Sequence, residues 1–246
     1  MINFTRFSDF LFEKFLQIYE LIIALQKMPF YQDFTDDNAT ILFWKFDEAD
    51  SFNEQELVEE ENLERVQKFH PKKIKEYLMI RKLLKMIKPE HKILYKTIGQ
   101  PYLEPKDAFI SITHSYPFAS LAISQKRVGI DLEKIMPKIL KIKHKFLHPN
   151  EISWTENEDE VEMITVIWVI KEALYKLHPS KYWSLKDYYE VERFSLNDLS
   201  EIKCRVFDDS FEDRYVARVF RIEEFFFAII EEDHQIHYKI QPESPF

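Results

Sequence analysis

Glycine is nearly absent from this 246-residue chain. There are two, Gly99 and Gly129, against an ordinary usage of about 7%. Backbone that only glycine tolerates is thus confined to a turn at 99 and to a close approach or an unusual φ at 129. Cysteine is scarcer still: Cys204 stands alone, so it forms no internal disulfide and supplies no zinc cluster, and a reducing, cytoplasmic setting fits. Basic residues are outnumbered, 34 Lys and Arg against 43 Asp and Glu, for a formal charge of −9. That balance argues against a broad nucleic-acid surface, and an acidic partner has to find a local basic patch. No run approaches the ~20 apolar residues of a membrane helix. Glu13 and Lys14 interrupt the first apolar stretch, which also lacks the basic start and small-residue cleavage site of a signal peptide. No linker rich in Gly, Ser or Pro divides the chain, and no internal repeat is evident.

What remains is ordinary for a soluble globular protein: 46% hydrophobic and 31% charged residues, with 22 Phe to fill a core. Apolar residues from Phe4 to Leu25 recur at helical spacing and stop before Pro29, predicting a helix packed on the body. Residues 30 to 40 read as a loop and 40 to 46 as a strand. An acidic helix is expected over 53 to 69, with Glu59, Glu60 and Glu61 as a solvated face. Pro71 suits the first turn of a helix over 71 to 87. Strands are expected over 108 to 113, 118 to 125, 202 to 207, 214 to 220, 224 to 231 and 236 to 241. Strands clustered in each half with helices between them indicate α+β.

Three stretches carry chemistry. In Val128-Gly129-Ile130-Asp131-Leu132-Glu133, apolar residues alternate, so a strand puts Asp131 and Glu133 on one face about 7 Å apart, close enough to share a hard cation. In the helical run from Trp168 to Lys176, residues 168, 172 and 176 fall on one i, i+4 stripe: an indole, a carboxylate and an ammonium. Before both, the alternation Phe109 to Ile112 ends in Thr113-His114-Ser115, a group of phosphate-grade hydrogen-bond donors.

Taken in this order, the three stretches resemble the Sfp-type family of 4′-phosphopantetheinyl transferases, whose pattern is Ser-His-Ser, then Gly-Ile-Asp-x-Glu, then Trp-x-x-Lys-Glu-Ala-x-x-Lys. The resemblance covers roughly residues 54 to 178. Gly99-Gln100-Pro101-Tyr102-Leu103 looks like the family's Gly-Lys-Pro-x-Leu turn, and Arg81-Lys82-Leu83-Leu84 like its Arg-x-Leu-Leu segment.

The resemblance implies a fold of two similar α+β halves related by a pseudo-twofold, here 1–127 with coenzyme A contacts and 128–246 with the metal site and a carrier-docking segment. It implies an enzyme that moves the phosphopantetheine arm of coenzyme A to a serine of an acyl or peptidyl carrier protein, with Mg²⁺ as cofactor. Asp131, Glu133 and Glu172 are the expected metal ligands, Lys176 the partner of the leaving phosphate, and Glu151 or Glu172 the general base unless a metal-polarised water serves. Thr113 and His114 match positions that hold the 3′-phosphate, and Arg65, Arg81 and Lys176 are further phosphate contacts. Gln100 stands where many members have Lys, so that cation is missing or comes from elsewhere, for example Lys96. His178-Pro179-Ser180-Lys181-Tyr182-Trp183 replaces the family's Gly-x-Gly-Leu.

A helix begun near Pro137 would place Lys138, Lys141 and Lys145 outward to meet an acidic carrier, with Ile139, Ile142 and Phe146 docked on the body. A monomer that binds neither nucleic acid nor membrane is expected. Two other readings use the same residues, a non-catalytic carrier-binding relative and a metal-dependent phosphodiester hydrolase.

Overall fold

The computed structural model describes residues 30–97, 99–156, 159–232 and 236–238. The helix expected over 4 to 25 lies outside them. Described elements form a mixed α+β architecture around two antiparallel sheets. The first has the order β1-β2-β6-β5, from β1 (Phe30–Asp33), β2 (Ala39–Lys45), β5 (Phe109–Ser115) and β6 (Phe118–Ser124). The second runs β7-β11-β10-β9-β8, from β7 (Val128–Lys134), β8 (Tyr189–Val191), β9 (Ile202–Phe207), β10 (Glu212–Ile222) and β11 (Phe225–Glu231), with β12 (Ile236–Tyr238) on the far end of β10. A small hairpin, β3 (Lys92–Tyr95) with β4 (Pro101–Glu104), carries the Gly99 turn, where φ is +84°.

Each large sheet is covered by one long helix. Pro71 at the first turn and the His70 side chain, which accepts from Lys72 N, start the helix Pro71–Ile87. It packs Met79, Ile80, Leu83 and Leu84 on Leu42, Leu121 and Ile123 of the first sheet. The helix Glu160–Leu177 crosses the second sheet, burying Ile164, Ile167, Ile170 and Leu174 against Ala217, Phe226, Ala228 and Ile230. Between the sheets lies a shared apolar cluster in which Ile41, Phe43 and Phe118 meet Ile130, Phe225 and Phe227. Phe43 and Phe227 pack edge to face with centroids 4.9 Å apart, a preferred aromatic geometry.

The expected acidic helix over 53 to 69 is broken into α1 (Glu54–Leu57), a 3-10 turn (Glu60–Asn62) and α2 (Leu63–Val66); the long helices are α3 (Pro71–Ile87) and α5 (Glu160–Leu177), with the short α4 (Pro149–Thr155) between them. The break has a physical cause. Glu59 turns inward to accept from Asn62, Tyr77 and Arg81 through Oε2 and from Ile93 N through Oε1, so it is no part of a solvated face. β1 falls in the stretch expected as loop.

Candidate active site

β5 and β7 are the facing edges of the two sheets, and side chains close the seam. Ser111 and Thr113 alternate on β5 toward β7. Ile130 N donates to Ser111 Oγ at 3.0 Å and Leu132 N to Thr113 Oγ1 at 3.1 Å. The Thr113 hydroxyl in turn donates to Asp131 Oδ1 at 3.1 Å. Asp131 is therefore fixed by a strand of the other sheet, and its second oxygen, Oδ2, is buried with no hydrogen-bond partner.

Gly129 lets α5 come down on β7: a Cβ there would stand 2.0 Å from Ala173 O and 2.9 Å from Leu177 Cβ. The close approach lays the 168, 172, 176 stripe along the carboxylates. Trp168 Nε1 donates to Glu133 Oε1 at 3.2 Å, the indole itself held edge to face against Phe146. Lys176 Nζ donates to Asp131 Oδ1 at 2.7 Å and Ile130 O at 3.0 Å. Burial first, and then the Asp131 carboxylate, raise the pKa of Glu133 and push that of Glu172 up to about 7. Three acids thus share one field, offset by Lys176 and, at Glu133, also by Lys138. Among the described residues, no three metal-ligating side chains converge into a ready-made metal group.

Beside the acids lies a cavity of about 440 Å³. Asp131, Glu133 and Lys176 form part of its wall, and Arg65, Lys73 and Lys181 give the remainder a basic character, with Gln100 and His114 beside them. Glu172 is partly buried on α5 and is not among the lining residues.

Residues 127–238 match the family model of the 4′-phosphopantetheinyl transferase superfamily. The chain is also 34% identical over 106 residues to the 4′-phosphopantetheinyl transferase gsp of Aneurinibacillus migulanus, and 29% identical over 82 residues to a 4′-phosphopantetheinyl transferase of Bacillus subtilis. These alignments take in 40% and 32% of this chain and 44% and 37% of the two relatives, so the chain spans less than half the length of each. The superfamily match contains the β7 carboxylates, the α5 stripe and the lysine-rich segment; the β5 residues and Arg65, Arg81 and Gln100 lie outside it.

The structure brings together Asp131, Glu133, Glu172 and Lys176, with Arg65, Gln100 and His114 around the same cavity. Other expected site residues are engaged within the fold. Glu151, a candidate base of the superfamily reading, is 0% exposed and bound on all sides: Oε2 accepts from Lys171 Nζ at 2.8 Å and His148 N at 2.7 Å, and Oε1 from Val191 N at 2.7 Å. It ties α4 to α5 and β8 and is out of reach of the cavity. Arg81 is 1% exposed and donates to Glu59, Tyr95 Oη and Ile93 O, so although it borders the cavity its guanidinium holds the fold together. The Thr113 hydroxyl is committed to Asp131 and Leu132. His114 Nδ1 lies 3.0 Å from Glu76 Oε2. Arg65 stacks on Tyr95, 3.8 Å from guanidinium carbon to ring centroid. Gln100 Oε1 accepts from Lys96 Nζ at 3.0 Å, which brings that lysine to the turn.

The lysine-rich segment is two 3-10 turns, Pro137–Lys141 and Lys143–Lys145, instead of one α-helix. An i, i+3 spacing serves either helix type. Ile139, Leu140 and Ile142 still dock on the core while Lys138, Lys141 and Lys145 are exposed. Lys138 lies near enough to oppose the rise in the pKa of Glu133. Lys73, Ser111, Tyr175 and Lys181 line the cavity without having been singled out as site residues. Ser111 was legible as the residue two before Thr113 on the same strand face. Lys181 was hidden in the segment that departs from the superfamily pattern.

No described helix is long and apolar enough to cross a membrane.

Proposed function

We propose that this protein transfers the 4′-phosphopantetheine group of coenzyme A to a serine of an acyl or peptidyl carrier protein. The observation that carries the reading is the contact between α5 and β7, which sets Lys176 on Asp131 and Trp168 on Glu133, with Asp131, Glu133 and Lys176 in the wall of one cavity. In the transfer, the serine Oγ bonds to the phosphorus that bears pantetheine. The bond from that phosphorus to the bridging oxygen breaks, and adenosine 3′,5′-bisphosphate leaves. Such phosphoryl chemistry is governed by positioning and charge neutralisation more than by a strong base.

Lys176 has three N–H donors. Two reach Asp131 and Ile130, and the third is available to the oxygen that gains charge on the leaving group. We assign the serine proton to Glu172, beside the acids of the cavity wall, in preference to Glu151, which Lys171, His148 and Val191 hold in the core; a metal-polarised water is the alternative acceptor. Asp131, Glu133 and Glu172 would hold Mg²⁺, a reading supported by the orphaned Oδ2 of Asp131 and the mutual repulsion that raises the other two acids. When bound, the ion neutralises pyrophosphate oxygens. His114 and Arg65 bind and orient the anionic part of coenzyme A from the β5 side. Lys138, Lys141 and Lys145 receive the carrier. On this reading 1–127 and 128–246 are the two halves of a pseudo-twofold fold, each with a long helix across its sheet, and the protein acts as a cytoplasmic monomer.

The test is mass spectrometry of an apo carrier protein incubated with the pure protein, coenzyme A and Mg²⁺. A gain of one phosphopantetheine is expected. Binding of the carrier without a mass change would leave the non-catalytic reading, and cleavage of plasmid DNA the hydrolase one.

A further inference from the structure

The indole of Trp183 stands in solvent, 87% exposed, although tryptophan is highly buried on average. Among the described residues its side chain has no hydrogen-bond, ring or cation partner. The chain on either side of it is nevertheless fixed. Lys181, left-handed at φ +52°, donates from Nζ to Tyr175 O and Lys176 O, each at 2.5 Å, and so closes the C-terminal end of α5. Tyr182 stacks on Tyr188 with ring centroids 4.4 Å apart and donates to Asp208. Ser184 is buried and donates to Asp187 at 2.6 Å, and Leu185 O accepts from the buried Lys171 at 3.2 Å. An indole presented on so firmly tied a loop loses little further freedom when something covers it.

Its place in the fold says what could cover it. Tyr175, Lys176 and Lys181 line the same cavity as Asp131 and Glu133, and Lys181 Nζ lies 5.5 Å from the centre of the Tyr175 ring. Two residues of chain reach at most about 7 Å, so Trp183 stands at the rim of that cavity. A small molecule inside the cavity makes no use of an indole turned into solvent. A folded protein that brings a serine to Lys176 and Asp131 has to cover the rim, and the indole with it.

We infer that Trp183 is an apolar anchor for the carrier protein, seated in a recess of the carrier beside the serine to be modified. The inference rests on the proposed function and deepens it. Lysines steer an acidic partner over a distance and lose that effect in salt, whereas a desolvated tryptophan is among the side chains that dominate the energy of a formed interface. Trp183 also lies in the stretch from His178 that departs from the family pattern, so this contact distinguishes the carriers that this chain prefers.

Titration of an apo acyl carrier protein into the wild type, Trp183→Ala and Trp183→Phe tests this. Trp183→Ala is expected to raise the carrier's KM about tenfold at low and high salt alike. Its kcat, its KM for coenzyme A and its urea midpoint should stay as in the wild type, and Trp183→Phe should recover part of the loss. Iodide quenching of tryptophan fluorescence gives a second reading, because Trp44 is buried and Trp154 and Trp168 are half-buried. The readily quenched component, missing from Trp183→Phe, should disappear when the carrier binds. An unchanged carrier KM in Trp183→Ala, or undiminished quenching at saturating carrier, overturns the inference. So does self-association of the wild type that is lost in Trp183→Ala, which would make a second copy of this chain the occupant. A wild type that transfers nothing sinks the transferase reading instead, and protection from iodide by the unmodified carrier then still decides whether the indole anchors it.

Discussion

The carbonyl oxygen of Ala173 occupies the place where a side chain on Gly129 would begin, 2.0 Å from that Cβ position. Backbone, not a flexible side chain, blocks it. Gly129→Ala is expected to push α5 off β7, at a cost of roughly 1–3 kcal/mol for the forced repacking. It should also draw Lys176 and Trp168 away from the carboxylates. A lower urea midpoint together with lost transfer is the expected result. Wild-type stability and activity would show that α5 does not need this approach.

Asp131 is the acid most tightly placed, held by Thr113 and Lys176. Asp131→Ala is expected to lower transfer by at least two orders of magnitude while circular dichroism stays native, because the apolar clusters are untouched. Near-wild-type transfer in this variant would remove Asp131 from the chemistry.

Glu172 links the site to pH. Its folded pKa, about 7, stands above its ordinary value of 4.5, so the native state holds the proton more tightly than the unfolded chain. The stability contributed is full below about pH 4.5 and is lost as pH rises through 7. Metal-free protein should therefore melt at a falling temperature across that window, and Glu172→Gln should fall less steeply. Mg²⁺ is expected to raise the melting temperature of the wild type at pH 8 and to do so much less in the variant. Parallel melting curves for the two proteins would contradict the assignment.

Lys138 and Lys141 project from a 3-10 turn whose Ile139 and Leu140 are anchored on the core. Reversing both charges, Lys138→Glu with Lys141→Glu, is expected to raise the carrier's KM several-fold at low salt and to flatten its salt dependence, since steering by local fields is screened by ions. The affinity for coenzyme A should not move. Steady-state kinetics at two ionic strengths decide it, and an unchanged carrier KM at low salt rejects the docking role.

Glu151→Gln leaves the Lys171 ammonium without its counter-charge at a site where both side chains are fully buried. A penalty of about 3–5 kcal/mol follows from an uncompensated buried charge, seen as a large drop in the denaturation midpoint. Glu151→Gln paired with Lys171→Met should recover much of it. A catalytic base would behave otherwise, losing kcat at unchanged stability.

Much of the site could be read from one dimension because strand and helix periods are strict. The two-residue period put Asp131 and Glu133 together, and the i, i+4 spacing put Trp168, Glu172 and Lys176 in a row. The boundaries of α3 and of the strands from 202 to 231 followed from proline placement and apolar alternation. What could not be read was which polar groups are already spoken for. Glu59 lies 22 residues from Arg81 and 34 from Ile93, and nothing local to the sequence says that it turns inward to claim both. The same holds for Glu151, Lys171 and Val191, and for the hydroxyl of Thr113. β1 carries no alternation of its own and forms because β2 offers an edge.

The seam between β5 and β7 bears on folding autonomy. A polypeptide that stopped at Arg127 would bare Ile41, Phe43 and Phe118, and the remainder alone would bare Ile130, Phe225 and Phe227 together with an unpaired edge on β7. Exposed strand edges beside apolar surface recruit other chains. Each piece is therefore expected to aggregate when made separately and to become soluble when the two are made together.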